Sequence, residues 1–479
     1  MSQNSLKQKT KSGLYWTFLN QFAIYGMQFI VGVVMARMLS PSDYGITALP
    51  AVFMSIAGTF VDSGFANALV RKPELTEQDL STSFYYSMFV GVACYLFLFV
   101  CSPWIAIFYN TPVLEQLMRV TAISFLWAPL ATPQRVILSR RLDFKTPTKI
   151  SIVTRIMGGI TGIVLAYIGY GLWALVISNL VTGFVTVLLN WYAVKWIPKV
   201  FWSGESFRYL WGFGNKLMIS SLIDTTYKNI TPIFIGKYYT TADLGVYNRA
   251  LSYANLPSQN FTSAIRGVTF PVLSKIQNDN EVLARDYRRM LRAVCFVVFP
   301  MMMVLAGLSY PLVVIMLTNK WVACVPMLQI LCFAQMWYPI DAINLNLLQV
   351  KGRSDLFLRL EVIKKVVGFS IMMLTLPLSV IHFCYGCIAY SLLEIWIDSY
   401  YTGKLINHGF LKQMRDLFPT LLLSLLIFVI LILVTKILES LMLQIIVGLV
   451  SATIIYIGLS LIFKFSELED VKYMLNRKK

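Results

Sequence analysis

The stretch ARMLSPSDYGI, residues 36–46, occurs again in altered form as GKYYTTADLGV, residues 236–246. Both copies contain a basic residue, two bulky residues, a serine or threonine, and then Asp-x-Gly in the same register. Upstream of them, the triplet Leu14-Tyr15-Trp16 is matched by Tyr209-Leu210-Trp211. The chain therefore contains an internal repeat, and a repeat of this length predicts two structurally related halves.

Long apolar segments lie on both sides of each copy. Of the 479 residues, 57% are hydrophobic and only 13% are charged, about half the usual charged fraction of a soluble chain. This composition excludes an ordinary soluble enzyme and a disordered protein. A bilayer core about 30 Å thick requires roughly 20 apolar residues per helix. The segments that approach this length are 14–39, 43–68, 82–108, 113–137, 149–169, 171–194, 209–236, 241–265, 290–315, 322–348, 357–380, 384–403, 416–436 and 440–463.

The repeat and the spans together predict the domain organisation. Spans 1 and 7 run in the same direction across the membrane, so six spans are repeated in parallel, as in transporters with two pseudo-symmetric halves. We therefore predict an all-α polytopic membrane protein with about 14 helices. Residues 1–200 form an N-lobe of spans 1–6, and residues 201–410 form a C-lobe of spans 7–12. Residues 411–479 add spans 13 and 14 and a tail.

The positive charge of the chain follows this topology. Lys and Arg number 41 and Asp and Glu number 23, which gives a net charge of +18. With the N-terminus in the cytoplasm, and with basic residues near span ends counted in the adjoining loops, 32 basic residues lie in predicted cytoplasmic loops and tails, 4 on the other side and 5 inside spans. This is the distribution that the positive-inside rule expects. It places both termini in the cytoplasm and makes nucleic acid unnecessary as a partner. The basic N-terminus continues into an apolar segment without a cleavage site, which predicts a retained first span.

Enzymatic motifs are not found in the sequence. Five of the seven cysteines lie in apolar runs, and the pair Cys384 and Cys387 lacks the further ligands of a zinc site. No nucleotide-binding glycine-rich loop occurs. The only histidines are His382 and His408, and the predicted outer loops are short, which argues against a membrane-bound glycan polymerase or ligase. We expect a non-enzymatic protein with no cofactor and no metal.

Four segments carry a resemblance to a known family. They are Lys11–Gln21 (KSGLYWTFLNQ), residues 36–45, Leu142–Lys145 (LDFK) and Gly245–Ala250 (GVYNRA). With the arrangement of six, six and two spans, they make the chain similar to the polysaccharide transporter branch of the multidrug/oligosaccharidyl-lipid/polysaccharide exporter superfamily. The likeness extends over the whole chain and is most specific in the first 70 residues and around Arg249.

The resemblance implies a function and a mechanism. Members of that branch are flippases for undecaprenyl-pyrophosphate-linked units of O-antigen (lipopolysaccharide), capsule or exopolysaccharide in the bacterial inner membrane. They are expected to have two lobes around a central cavity that opens alternately to the two sides, with the last two helices beside the lobes. The implied partners are the lipid-linked oligosaccharide, membrane lipid, and glycan polymerase or assembly proteins. Arg249 is the best-matched polar position, and no complete catalytic or ion site is carried over.

Charged residues inside the spans are the strongest indication of a site, because burying each in a bilayer costs at least about 2.5–3.5 kcal/mol. A cationic, wet cavity suits an anionic headgroup, and the planar fork of arginine matches pyrophosphate. The basic candidates are Arg249, Lys216 and Lys228, followed by Arg155 and Arg119. The polar and aromatic candidates for the same cavity are Asn20, Gln21, Tyr25, Gln28, Tyr227, Tyr253 and Asn260.

Simpler structural roles compete for the same residues. Asp224 and Lys228 have the i,i+4 spacing of a helical ion pair, and Arg119 has the same spacing from Glu115. Most of the aromatic residues can instead anchor the helices at the bilayer interface. The side chains of Lys216 and Arg155, which lie near span ends, can instead extend their charged groups toward the interface between membrane and water.

Five acidic residues also lie deeper than loops normally reach. They are candidates for cation or proton coupling, or else partners of buried Arg and Lys: Asp62, Asp224, Asp341, Glu394 and Asp398.

Two further functions remain open at this stage. A multidrug/cation antiporter of the same superfamily predicts an acid-lined cavity around span 1, whereas Asn20 and Gln21 there are neutral. A transporter of another fold, with twelve spans and a two-span addition, also agrees with the repeat.

Overall fold

The computed structural model describes residues 24, 26–199 and 201–470, with the side chains of all of these except 264–269 and 271–272. In this part of the chain the regular structure is helical and no strand is present. Eight of the helices are long and apolar enough to cross a membrane. The prediction of an all-α polytopic membrane fold is therefore confirmed. The remaining predicted spans coincide with helices that are more polar or interrupted, so the total of fourteen stays a prediction.

The chain divides into two compact units, Met1–Gly245 and Val246–Lys479. The division falls near the start of one long helix, Thr241–Lys275. The predicted lobes, which end at residues 200 and 410, were defined by the repeat rather than by packing and stay predictions.

The N-terminal unit is built from ten helices among the described residues. In chain order they are α1 (Gly26–Met38), α2 (Pro41–Asp62), α3 (Phe65–Arg71), α4 (Glu77–Phe108), α5 (Val113–Ala122), α6 (Ser124–Trp127), α7 (Thr132–Arg140), α8 (Lys145–Ile168), α9 (Leu172–Val194) and α10 (Gly204–Tyr238). Helix α10 packs against α2, α3 and α4, and α8 packs along α9. The position of Gly158 permits that close α8–α9 contact, because a Cβ there would lie 1.8 Å from Thr182 Oγ1.

The C-terminal unit begins within the helix Thr241–Lys275, in which the division between the two units falls. Its described helices are α11 (Thr241–Lys275), α12 (Asn280–Gly307), α13 (Ser309–Leu317), α14 (Cys324–Gln335), α15 (Tyr338–Val350), α16 (Ser354–Thr375), α17 (Val380–Ile406), α18 (Phe410–Ile437) and α19 (Leu441–Ile462). Helix α12 is the most buried of the eight apolar helices and packs against α14, α15, α17 and α18.

Several predicted spans are broken helices. The span predicted over 43–68 is α2 followed by α3, because Ser63 and Gly64 between them both have positive φ (43° and 68°). The span predicted over 113–137 is α5, α6, a 3₁₀ turn and α7. Pro129 and Pro133 lie at the starts of the last two elements, where the missing N–H of proline is tolerated while an unbroken helix is not.

The outer faces of the apolar helices are exposed in a way that requires lipid. Helices α18 and α19 leave many large aliphatic side chains uncovered, and a surface of this size is unfavourable in water. Those on α18 are Leu422, Leu426, Val429 and Leu433, and those on α19 include Ile446, Val450, Ile454 and Leu461.

Contacts between loops agree with the predicted alternation of sides. In the N-terminal unit, Arg140 donates to the carbonyl of Leu69 at 3.0 Å, and Trp196 donates to Glu77 at 2.9 Å. These contacts join three loops that were all predicted to lie on the cytoplasmic side. In the C-terminal unit, Lys351 donates to Asn280 at 2.6 Å and likewise joins two predicted cytoplasmic loops. Which side is the cytoplasm stays a prediction.

Candidate functional site

The repeated motif forms the start of a helix in both copies. Ser40 and Asp43 form a capping box at the N-terminus of α2. At the start of α11, Thr240 and Asp243 make the same pair of bonds, with the Thr240 amide donating to Asp243 at 3.1 Å and the Asp243 amide donating to Thr240 Oγ1 at 3.1 Å. A Ser/Thr followed three residues later by an acidic residue satisfies two helix-terminal amides at once. The repeat is therefore conserved in structure as well as in sequence within this chain.

The glycines of the two motifs allow these helix starts to contact each other. A Cβ on Gly45 would lie 1.6 Å from the carbonyl oxygen of Thr241, and a Cβ on Gly245 would lie 1.9 Å from that of Pro41. Next to this contact, Ser42 on α2 and Thr241 on α11 form a hydrogen bond between their hydroxyl groups, with Oγ and Oγ1 2.8 Å apart. The contact is reciprocal, because each glycine faces the first residue of the other helix. It requires glycine at both positions.

A second family-like segment, LDFK, also caps a helix. Asp143 accepts hydrogen bonds from the amides of Lys145 and Thr146 and from the Thr146 hydroxyl, at 3.1, 3.0 and 2.6 Å. Burial raises the pKa of Asp143, but these hydrogen bonds outweigh the burial and hold the pKa below its ordinary value. The residue stabilises the start of α8.

The charged stripe predicted on span 7 lies on α10 of the N-terminal unit. Asp224 and Lys228 form an ion pair of 2.7 Å, with 43% and 71% of their side chains exposed. The competing interpretation, that these two residues pair with each other, is thus confirmed in this conformation. Lys216 and Ser220 are exposed on the same helix. The stripe is an exposed polar face on a helix of a membrane protein, which is the arrangement expected of a helix beside water rather than lipid.

Arg249 lies on α11 in the C-terminal unit among aromatic rings. Its guanidinium carbon is 5.7 Å from the ring centre of Tyr253 and 5.5 Å from that of Trp321. Distances of this size correspond to cation–π contacts. Trp321 is fully buried, so the arginine is positioned by a rigid neighbour. The sequence reasoning selected Arg249 and Tyr253 but missed Trp321, which is the last residue of a predicted outer loop and carries no sequence pattern that marks it.

The other predicted basic residues have different surroundings. Arg119 pairs with Glu115 at 2.8 Å, donates to Ser102 at 3.0 Å and lies 4.5 Å from the ring centre of Phe99. The predicted pairing of Arg119 with Glu115 is therefore observed. Arg155 is exposed on α8. Their roles in substrate binding stay predictions.

The remaining polar candidates are scattered. Gln28 and Asp62 are exposed on α1 and α2, and Tyr227 and Asn260 are half-buried on α10 and α11. Asn20, Gln21 and Tyr25 lie outside the described residues. The structure therefore places the cationic candidates on separate helices of two units, and a shared cavity stays a prediction.

Three of the predicted acidic residues meet at a buried lysine in the C-terminal unit. Lys364 Nζ on α16 lies 2.6 Å from Asp341 on α15, and 3.3 Å from each of Glu394 and Asp398 on α17. Glu361, one turn before the lysine, is 3.0 Å away. Only 4% of the Lys364 side chain and none of the Asp398 side chain is exposed. We call these five residues the Lys364 cluster.

A chain of buried hydrogen bonds extends from this cluster. Thr402, one turn after Asp398, donates to Asn344 at 2.6 Å, as does Tyr287 at 2.7 Å. Asn344 in turn donates to Gln413 at 3.2 Å, and Gln413 donates to the carbonyl of His408 at 2.9 Å. The hydrogen bonds end at His408, whose Nε2 lies 3.3 Å from Asp416 on α18. Asp416 in turn accepts hydrogen bonds from Arg288 on α12.

The sequence reasoning missed the lysine at the centre of this cluster. Lys364 lies seven residues into the predicted span 357–380, but it was counted with the basic residues of the preceding cytoplasmic loop. A signal was available, because Glu361 and Lys364 are one turn apart and the chain offers three further acidic residues in the neighbouring spans. Of the acids proposed for ion coupling, Asp341, Glu394 and Asp398 are brought together, whereas Asp62 and Asp224 lie elsewhere.

The fold is that of helical membrane transporters. It is shared with the lipid II flippase MurJ in an inward closed conformation, with a TM-score of 0.74, 16% identity, and coverage of 94% of this chain and 98% of that chain. It is also shared with the inward-facing form of a multidrug resistance MATE family transporter of the MOP superfamily, with a TM-score of 0.59, 14% identity, and coverage of 82% and 99%. At such identities the likeness concerns the fold.

Sequence comparison defines the family more narrowly. The model of the polysaccharide biosynthesis protein family matches residues 34–326, and the chain belongs to this family. The chain is 27% identical to the teichuronic acid biosynthesis protein TuaB of Bacillus subtilis over 74% of this chain and 73% of TuaB. It is 26% identical to the lipopolysaccharide biosynthesis protein WzxC of Escherichia coli over 75% and 74% of the two chains. The predicted resemblance to polysaccharide transporters is thereby confirmed.

Proposed function

We propose that the protein is a flippase that moves undecaprenyl-pyrophosphate-linked oligosaccharide units from the inner to the outer leaflet of a bacterial inner membrane. It does so by alternating access, with both termini in the cytoplasm. Membership of the polysaccharide biosynthesis family, in a chain with the fold of membrane transporters, is the observation that carries this proposal. The units belong to O-antigen, capsule or exopolysaccharide.

The charges inside the helices support this substrate class. A lipid-linked oligosaccharide has an apolar tail that stays in lipid and an anionic, sugar-bearing headgroup that must cross the membrane. Lys216 and Lys228 on α10 and Arg249 on α11 give each unit a basic side chain within a predicted span. Cations on membrane helices are costly unless they meet water or an anion. A multidrug/cation antiporter has the opposite requirement, because its substrates are cationic.

Transport without chemical conversion is the simplest role for this chain. The sequence has no nucleotide-binding loop, so an ion gradient or the substrate gradient drives the cycle. Glycan polymerase or assembly proteins then take the delivered units on the outer side.

Deletion of the gene in its host tests the proposal. We expect lipid-linked oligosaccharide units to accumulate on the cytoplasmic leaflet and surface glycan to disappear, with both effects reversed by the intact gene. Accessibility of the trapped units to an added glycosidase, in intact cells and in inside-out vesicles, locates them. Unchanged surface glycan together with altered drug sensitivity would instead indicate the antiporter.

A further inference from the structure

The Lys364 cluster contains more negative groups than it can hold as charges. Four carboxyl groups lie within 3.3 Å of one ammonium. The side chains of Glu361 and Glu394 are 27% and 20% exposed, whereas that of Asp398 is fully buried. Full ionisation would therefore leave three uncompensated negative charges around a buried ammonium. Like charges that share a low-dielectric site cannot all ionise, because each one disfavours the charged form of the others. The site therefore holds protons as well as the lysine.

Asp398 is the residue in the cluster for which protonation is most clearly required. Its Oδ2 faces Lys364, but its Oδ1 is fully buried and has no hydrogen-bond partner among the described residues. An ionised oxygen in that position would be desolvated and unsatisfied, which is costly. A proton on Asp398 removes this charge and with it most of the cost of burying the carboxyl group.

The geometry favours a proton over a metal ion as the exchangeable ligand. The Lys364 ammonium already occupies the centre of the carboxyl groups, where a bound cation would otherwise lie. No group of three or more His, Cys, Asp or Glu side chains in the described ranges is arranged to hold a metal ion. Among the described residues, two phenols lie next to the cluster or to its hydrogen-bond chain: Tyr390 donates to Glu394 at 3.2 Å, and Tyr287 on α12 donates to Asn344 at 2.7 Å.

The buried hydrogen bonds give the site a polar connection to one end of the unit. They lead from Thr402 through Asn344 and Gln413 to the carbonyl of His408, and the ring of His408 lies 3.3 Å from Asp416. The predicted topology places this end in the cytoplasm. Water that enters along these side chains can exchange protons with the cluster, whereas apolar packing would isolate it.

We infer that the Lys364 cluster is a proton-binding site that takes up and releases protons as the C-terminal unit changes conformation, and that it couples export to proton movement. Proton binding is independent of the proposed function, whereas the coupling rests on it. In the conformation described here Asp398 is shielded from solvent, and the proton that the inference requires resides on its carboxyl group. Opening the cluster to water stabilises the ionised carboxylates and releases protons.

Infrared difference spectroscopy of the purified full-length protein tests proton binding directly. We expect a band of buried protonated carboxyl groups at neutral pH, shifted in D₂O and reduced in Asp398→Asn and in Glu394→Gln. Exposed Glu439 provides the control Glu439→Gln, which should leave the band unchanged. The lysine is tested with two variants, Lys364→Met and Lys364→Met/Asp398→Asn. The double variant is included because Lys364→Met alone removes the positive charge that balances the carboxylates and endangers folding. An unaltered band in both single acid variants would overturn the inference.

A transport measurement separates the coupling from the function itself. In vesicles with an imposed pH difference, export by the wild-type protein should change with the direction of the gradient, while Asp398→Asn should not respond. Export that ignores the gradient in the wild type would overturn the coupling and leave the flippase proposal intact. A wild type that moves no substrate under any gradient contradicts the proposed function, while the infrared result still decides proton binding.

Discussion

Arg249 and Lys216 show how differently single basic side chains are held in this molecule. Arg249 lies against Tyr253 and buried Trp321, whereas Lys216 is exposed on α10. A stacked guanidinium has lost most of its rotamer freedom before any ligand arrives, and its planar fork can donate two hydrogen bonds to a phosphate. A mobile lysine contributes charge with less geometric definition. We therefore assign Arg249 the more specific role.

Removal of these charges should impair export without unfolding the protein. We expect Arg249→Ala to slow export by about tenfold, equivalent to roughly 1.4 kcal/mol, Lys216→Ala to slow it less, and Arg249→Lys to be intermediate because charge remains while the fork is lost. Surface glycan in the deletion strain, normalised to protein in the membrane fraction, is the measurement. Exposed Arg359 on α16 supplies the control Arg359→Ala. Parental glycan levels in both alanine variants would show that the cationic-site hypothesis is wrong.

The Asp224–Lys228 pair allows a separate test of pairing against substrate binding. Both side chains are substantially exposed, and exposed pairs contribute only about 0–1 kcal/mol to stability. If Lys228 serves the substrate, Lys228→Met should reduce export, Asp224→Asn should not, and the double variant should equal Lys228→Met. Export at the parental level by all three variants in the same glycan assay would show that Lys228 does not serve the substrate and that the pair has only a structural role.

At the scale of elements, the contact between the starts of α2 and α11 depends on two glycines. A methyl group on Gly45 would meet the Thr241 carbonyl at 1.6 Å, so the helices would have to separate. Gly45→Ala should lower the free energy of unfolding by about 1–3 kcal/mol, the usual cost of overpacking, and should therefore lower the melting temperature. It should also reduce export. Gly58→Ala on the same helix is the matched control, because nothing lies within 4 Å of a Cβ there. Equal melting temperatures for the two variants would contradict the contact.

The sequence predicted the helices well and their interruptions poorly. Each predicted span coincides with one helix or with a helix broken into shorter elements wherever residues are described, because apolar length is a local property. The break at Ser63 and Gly64 depends on backbone conformation and packing that hydropathy does not record. Lys364 was assigned to a loop for a similar reason, since its burial depends on three acidic residues from two other helices. The repeat motif was predictable because capping is also local.

At the scale of the whole molecule, charge and hydropathy serve two purposes. Most of the +18 net charge is expected in loops that set the orientation of the helices. A small remainder lies inside the helices, with basic residues on α10 and α11 and the Lys364 cluster between α15, α16 and α17. We assign the basic residues on α10 and α11 to the anionic substrate and the Lys364 cluster to protons. This division of roles is what a flippase driven by a gradient requires.

Transport of a lipid-linked oligosaccharide can be measured with the purified protein in vesicles. The purified protein is placed in vesicles that carry a polyprenyl-pyrophosphate-linked oligosaccharide in the inner leaflet only, and an impermeant glycosidase is added outside. We predict that the oligosaccharide becomes accessible in vesicles with the wild-type protein, more slowly with Arg249→Ala, and not in protein-free vesicles. Oligosaccharide that stays protected in every sample, while the same vesicles transport a cationic dye, would contradict the account.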